Sequence, residues 1–241
     1  MKTIINLFCF PFAGGNKYSY QKYMEKAPSF LHIIPMEYPG RGARMKEPLI
    51  SDIEVLVNDL YSQIQKTIDQ ADYAIYGHSM GGLIAYLVAR KLIENNQKPP
   101  AHLFITGTSG PSSPSRSTKS RHLLPKAAFI QELKDLDGMP DEILQNEDLL
   151  GYIEPILRAD FKMCETYQYY DCDPLNIPIT VITGMEEEID IADIHLWQKE
   201  TQSVVDFRQI SGKHFFIFKN PRLIVDIIAK KLSVYTKSYQ L

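Results

Sequence analysis

Tyr73-Ala74-Ile75-Tyr76-Gly77-His78-Ser79-Met80-Gly81-Gly82-Leu83-Ile84 is the stretch that decides the fold. A short run of strand type leads directly into Gly-x-Ser-x-Gly, and Leu83, Ile84, Leu87, Val88 and Leu92 then continue at helical intervals. The pattern alone is weak: with glycine and serine each at ~7% usage, chance supplies it in about one chain of this length in twelve. Its setting is stronger, because strand, sharp turn and helix in that order are what a nucleophile elbow requires. The glycines remove side chains where strand and helix approach closely. The turn holds Ser79 in a strained conformation with its hydroxyl exposed. The Met80 N–H, at the helix start, is the first expected donor to a developing oxyanion. The plain alternative is a glycine-rich turn with an incidental serine.

Outward from the elbow, apolar runs of strand length recur at 3–10, 30–36, 72–76, 102–107, 178–183 and 204–210. Several show little polar alternation, as parallel strands covered on both faces do. Helical patterns at 17–27, 52–69, 80–95, 190–201 and 220–235 separate them, the second opening on a capping-box spacing of Ser51 and Glu54. Alternation of this kind predicts an α/β fold with right-handed crossovers: a mostly parallel central sheet with helices on both faces. Residues 108–121, rich in Ser, Thr and Pro, read as a mobile linker. Residues 126–170 then read as helices without a strand, with Leu149, Leu150, Ile153, Ile156 and Leu157 on one face and Pro155 as a kink. The expectation is a single domain over 1–241 with a lid insertion at about 108–170, at the carboxyl edge of the sheet.

A serine nucleophile needs a base and an acid, in this architecture in the chain order Ser, acid, His. Of His32, His78, His102, His122, His195 and His214, only His214 follows the last expected strand and precedes the last helix. The acid belongs after the strand 178–183, where Glu186, Glu187, Glu188, Asp190 and Asp193 cluster. A solvated helix N-terminus explains most such carboxylates. Spacing from the strand end favours Glu187, with Asp190 as the fallback. The second oxyanion donor belongs in the loop after the first strand, Phe10-Pro11-Phe12-Ala13-Gly14-Gly15, where the Ala13 N–H is the first choice and Phe12 the second.

Composition narrows the classes. The chain has 241 residues, 26 Lys and Arg against 29 Asp and Glu, and 44% hydrophobic residues, an ordinary globular balance. No basic footprint points to nucleic acid. Cys9, Cys164 and Cys172 form no even framework, which suits a reducing compartment. Met1-Lys2 and the apolar residues up to Phe10 resemble a short signal peptide. Asn6 and Pro11 interrupt that run, so a first buried strand and a cytoplasmic protein are expected, and no apolar run reaches the ~18 residues of a membrane span. No His-Glu-x-x-His, Walker loop, cysteine cluster or G-x-G-x-x-G occurs, so no metal and no nucleotide cofactor is implied.

Six motifs together resemble one family, the external (type II) thioesterases of nonribosomal peptide and polyketide synthases, which share an α/β-hydrolase fold with a helical lid. They are Cys9–Gly15, Tyr38-Pro39-Gly40-Arg41-Gly42, the elbow Gly77–Gly82, Asp137-Gly138-Met139-Pro140 in the lid, Arg158-Ala159-Asp160-Phe161 as the start of a following lid helix, and Gly212-Lys213-His214-Phe215-Phe216. The chain departs from the family in placing Glu187 where Asp is usual. The resemblance implies hydrolysis of acyl thioesters held on the phosphopantetheine arm of carrier proteins, a catalytic set of Ser79, Glu187 and His214, and an oxyanion hole from Ala13 and Met80. No cofactor of its own and a monomeric working unit are further expectations. Arg41, Arg44, Arg116, Lys119 and Arg121 are candidates for meeting an acidic carrier surface. A medium-chain fatty acyl thioesterase or general esterase of the same fold stays open, as does a non-catalytic binding protein.

Overall fold

The computed structural model describes residues 4–68, 71–136, 138 and 141–236. The first half of the chain runs β1 (Ile5–Phe10), α1 (Gln21–Lys26), β2 (Leu31–Pro35), α2 (Ile53–Ile64), β3 (Asp72–His78), α3 (Met80–Glu94) and β4 (Leu103–Thr106). Between β4 and β5 lie α4 (Lys126–Asp135), α5 (Asp141–Leu144) and α6 (Glu147–Glu165). The chain then forms β5 (Ile179–Gly184), α7 (Ile191–His195), β6 (Asp206–Ile210), α8 (Phe216–Lys219) and α9 (Pro221–Leu232). The six expected strands are therefore all present. They form one sheet in the order β2-β1-β3-β4-β5-β6 with every neighbouring pair parallel.

Alternation along β1 explains the layers. Ile5, Leu7 and Cys9 point into one apolar cluster with α1 and α9, whereas Phe8 and Phe10 point into the other with α2 and α3. Trp197, fully buried, closes the second cluster beside Tyr86, with ring centroids 5.6 Å apart. The chain leaves β1 for β2 on one side and returns through β3 on the other. Strand order thus reverses between β1 and β3, which makes their carboxyl ends a natural binding crevice. A side chain on Gly81 would collide with the Phe10 carbonyl, so only glycine lets the start of α3 lie against the end of β1.

Four local expectations are corrected. Residues 108–116 are not a linker: Thr108, Ser109 and Ser113 are buried, the Trp197 indole N–H donates to the Thr108 carbonyl at 3.0 Å, and Arg116 donates to the Gly110 carbonyl at 2.9 Å. A polar stretch can be buried when distant side chains satisfy its carbonyls, and local composition does not show those partners. The N-cap of α2 is Asp52, whose side chain accepts the Val55 N–H at 3.1 Å, and not Ser51. Arg158–Phe161 lies inside α6, which starts at Glu147 after the N-cap Asn146, whose side chain accepts the Asp148 and Leu149 N–H groups, and does not open a helix. Leu149 faces solvent at 48% exposure, while Leu150, Ile156 and Leu157 are buried. Asp137, Met139 and Pro140 lie outside the described residues. Among the described residues no helix is long and apolar enough to cross a membrane.

Candidate active site

Ser79 sits between β3 and α3 with φ 55° and ψ −121°, a left-handed conformation that a non-glycine residue keeps only when its surroundings enforce it. Here they do. The Ser79 N–H donates to the Thr106 carbonyl at 2.8 Å, and the Gly82 N–H donates to the Ser79 carbonyl at 2.9 Å. The hydroxyl is left facing outward, 3.0 Å from His214 Nε2.

His214 is placed by cross-links between two loops. The Met185 N–H donates to the Ile210 carbonyl at 2.8 Å and the Glu186 N–H to the Gly212 carbonyl at 3.1 Å, so the loop after β5 lies along the loop after β6. This brings Glu187 to His214, with Oε1 2.7 Å from Nδ1. The other oxygen, Oε2, accepts the Gly184 N–H at 2.6 Å. Both oxygens are engaged, and the side chain is 2% exposed. Asp190 lies elsewhere, exposed, capping α7 by accepting the Ala192 N–H at 2.8 Å. Geometry therefore brings Ser79, His214 and Glu187 together and leaves Asp190 out. Gly107, at φ 61°, passes beneath the group where a side chain would strike His78 and Glu187, a role that its place beside an apparent linker concealed.

Met80 begins α3 immediately after Ser79, in a first turn where no intrahelical carbonyl can reach its N–H. Ala13 and Phe12 line a narrow apolar slot with Ser79, walled by Leu133, Leu157 and Phe161 of the inserted helices. A wider cleft of about 320 Å³ opens from Ser79 and His214 past Phe161 and Leu136 to a charged mouth that includes Lys119, Arg121 and Lys213. The site thus has an apolar inner end and a polar entrance.

The cations expected to face a partner divide on inspection. Arg41 is buried against Asp160, Arg44 holds Asp59 and Glu47, and Arg116 is bonded to the carbonyls of Ser109 and Gly110. Those three are engaged internally. Lys119, 58% exposed and 3.6 Å from Glu132, and Arg121, paired with Glu132 and Glu165, also have partners within the chain but line the cleft mouth.

A second imidazole adjoins the first. His78 is fully buried, its ring centroid is 4.9 Å from that of His214, and its Nδ1 is 3.0 Å from Thr106 Oγ1. Burial, with the nearby His214 charge adding to it, holds its pKa well below the usual histidine value. It therefore stays neutral and does not repel an imidazolium forming at His214. His102, stacked on Phe104 at 4.2 Å, is likewise lowered by burial, to about 4. An unfolded chain protonates both rings near pH 6.5 and the folded protein does not, so the unfolded state binds more protons below that pH. Stability should then fall as pH drops from about 6.5 toward 4, by up to ~1.4 kcal/mol per pH unit for each ring. Thermal melts between pH 7 and pH 5 measure this, and a constant Tm over that range would show that the rings titrate freely.

The remaining histidines have other partners: His122 meets Glu165 at 2.6 Å, His32 meets Asn6 at 3.1 Å, and His195 packs on Phe207. Among the described residues no group of three or more His, Cys, Asp or Glu is arranged to hold a metal ion.

The chain is similar to known proteins along nearly its whole length. A family model described as a thioesterase domain matches residues 5–232. The chain is 33% identical over 238 residues to a Brevibacillus parabrevis protein named linear gramicidin dehydrogenase LgrE, covering 97% of this chain and 90% of the relative. It is 32% identical over 244 residues to the human medium-chain S-acyl fatty acid synthase thioesterase, covering 97% and 89%. Among solved structures it is similar to the type II thioesterase BorB from the borrelidin biosynthetic cluster, with a TM-score of 0.87, 28% identity and coverage of 95% and 93%.

Proposed function

The chain is a member of the thioesterase family, and on that footing we propose that it hydrolyses acyl thioesters carried on the phosphopantetheine arm of carrier proteins, through an acyl–Ser79 intermediate. One observation carries the reading: a continuous hydrogen-bonded line from Ser79 Oγ through the His214 ring to Glu187, beside a cleft with an apolar end. Such a line makes a weak hydroxyl nucleophilic without a metal or a cofactor of the protein's own.

In the first half-reaction His214 Nε2 takes the Ser79 proton as Oγ attacks the thioester carbonyl. Glu187 holds Nδ1 protonated and steadies the resulting imidazolium. The carbonyl oxygen becomes an oxyanion, for which the Ala13 and Met80 N–H groups are the proposed donors. Collapse breaks the C–S bond, and His214 returns its proton to the departing pantetheine thiolate. Water then repeats the sequence on the acyl-serine, with His214 as its base, and releases the free acid and the Ser79 hydroxyl.

The polar mouth suits an incoming phosphopantetheine, and the apolar slot suits a short acyl group. α4 to α6 then serve as the lid, and Lys119 and Arg121 are the cations proposed to face an acidic carrier. The proposed role is to clear misprimed or stalled carriers, as a monomer in the cytoplasm; the likeness to a type II thioesterase from a biosynthetic cluster supports the thioesterase part of that reading. A dehydrogenase reading, taken from one relative's name, finds no support, since the loop after β1 is Pro-Phe-Ala-Gly-Gly and no G-x-G-x-x-G occurs. The likeness to the human fatty acyl enzyme supports a second reading, in which medium-length acyl chains are the substrate.

A matrix of carriers and acyl groups separates the two. Short acyl groups on peptide-synthetase or polyketide-synthase carriers should turn over faster than medium-chain acyl-carrier conjugates and than simple esters. A preference for medium chains irrespective of carrier would replace the first reading with the second.

A further inference from the structure

The loop that supplies Ala13 is clamped from outside by the inserted helices, through a carboxylate that the chemistry above does not use. Asp160, inside α6, has no solvent exposure, and its Oδ2 accepts the Gly14 N–H at 2.8 Å. Arg41 engages the same carboxylate with two N–H donors, at 2.6 Å to each oxygen, and is itself 3% exposed. One of those guanidinium nitrogens also donates to the Gly15 carbonyl at 3.4 Å. Leu157, one helical turn before Asp160, packs onto Gly14 so closely that a Cβ there would lie 2.7 Å from it.

Peptide planarity gives these contacts a consequence. The Gly15 N–H donates to the Phe12 carbonyl at 2.8 Å, which sets the plane of the Phe12–Ala13 peptide and hence the direction of the Ala13 N–H. The bond from Gly14 to Asp160 sets the plane of the next peptide. Both peptide units flanking Ala13 are therefore held, one from within the loop and one from α6. An oxyanion donor acts only if it is aimed at the oxygen before reaction begins, and losing one such donor typically lowers kcat by ~10²–10³.

The pairing with Arg41 fits the same purpose. A lone buried carboxylate one peptide away from the oxyanion would oppose its charge, whereas the bidentate guanidinium neutralises it and leaves its acceptor function. Stability alone does not call for this arrangement, because apolar replacements of a buried ion pair are often neutral or stabilising.

We infer that Asp160, neutralised by Arg41, is a positioning residue for the oxyanion hole, so that seating of α6 on the loop after β1 makes the Ala13 N–H competent for catalysis. The inference rests on the proposed function and extends it to residues that touch neither substrate nor nucleophile.

The test uses the double variant Arg41→Met with Asp160→Leu, which keeps apolar packing and removes the acceptor, alongside the single variant Asp160→Asn. Probes are a short-chain N-acetylcysteamine thioester, which needs no carrier, and a trifluoromethyl ketone that adds to Ser79. The double variant should melt within a few degrees of the wild type. Its kcat should fall about 10- to 100-fold with KM within about threefold, and ketone affinity should fall by the same factor as kcat. Exchange of the Gly14 amide should be at least ~10-fold faster. If the double variant does not fold, the same readouts are taken on Asp160→Asn, with changes in the same direction expected. A folded variant with wild-type kcat and ketone affinity, or one with unchanged Gly14 exchange, overturns the inference. Should the wild-type protein itself fail to hydrolyse the thioester, the proposed function falls, and Gly14 exchange alone decides the positioning contact.

Discussion

Ser79→Ala is expected to fold like the wild type and to lose thioester hydrolysis by on the order of 10⁴-fold or more. Among the described residues the Ser79 side chain takes part in a single hydrogen bond, to the part-exposed His214 ring, so its removal leaves no buried partner there unpaired. Both serine and alanine carry a Cβ, so the positive φ of 55° is no worse for the variant. Activity has no such substitute. Without Oγ there is no acyl-enzyme and no serine proton for His214 to take, and only binding, the oxyanion donors and His214 as a base for water remain to assist direct hydrolysis. Turnover of an acyl-carrier conjugate, read together with circular dichroism and a thermal melt, measures both halves of the expectation. Hydrolysis within tenfold of wild type in a folded Ser79→Ala protein would dismiss the acyl-serine mechanism.

The second large effect ranks the carboxylates. Glu187→Gln should lower turnover by roughly 10²–10⁴, while Asp190→Asn and Glu186→Gln stay near wild type. In the native site Glu187 accepts from both His214 Nδ1 and the Gly184 N–H. A glutamine has one acceptor for these two donors. If its NH₂ faces Nδ1, the ring shifts to the tautomer with its proton on Nε2 and can no longer take the serine proton. If its NH₂ faces Gly184, two donors meet inside a dry loop and the imidazolium loses its counter-charge. Asp190→Asn, by contrast, exchanges one good N-cap for another on an exposed helix end. Single-turnover acylation rates for the three variants give the ranking directly. A crippled Asp190→Asn beside a near-normal Glu187→Gln would move the acid three residues downstream, with His214 still required.

The neighbouring carboxylates show why sequence reasoning reached a short list here and no further. Glu186, Glu187, Glu188 and Asp190 differ little in local pattern. Which one reaches His214 depends on how the loops after β5 and β6 are stitched, through backbone bonds from Met185 to Ile210 and from Glu186 to Gly212. Glu187 also makes a tight turn back onto Gly184, and this directs its longer side chain under the imidazole. Arg41 and Asp160 tell the same story at longer range. Each belonged to a recognisable motif, yet their pairing across 119 residues emerges only when α6 packs over the loop after β1.

The alternation of strands and helices, the strand–turn–helix at Ser79 and the position of His214 after the last strand were all legible from residue order. Each is encoded locally or by order along the chain: apolar periodicity, glycines where backbone must approach backbone, and one histidine placed after the last strand. Folding alone decided which carboxylate is hydrogen-bonded to that histidine and that residues 108–111 are buried. It also decided that Arg41 and Arg116 face inward and that the loop carrying Ala13 is held by Asp160. The physical reason is common to all four. A buried polar group must find a partner, and that partner is set by which surfaces meet in the folded chain, on which nearby residues carry almost no information.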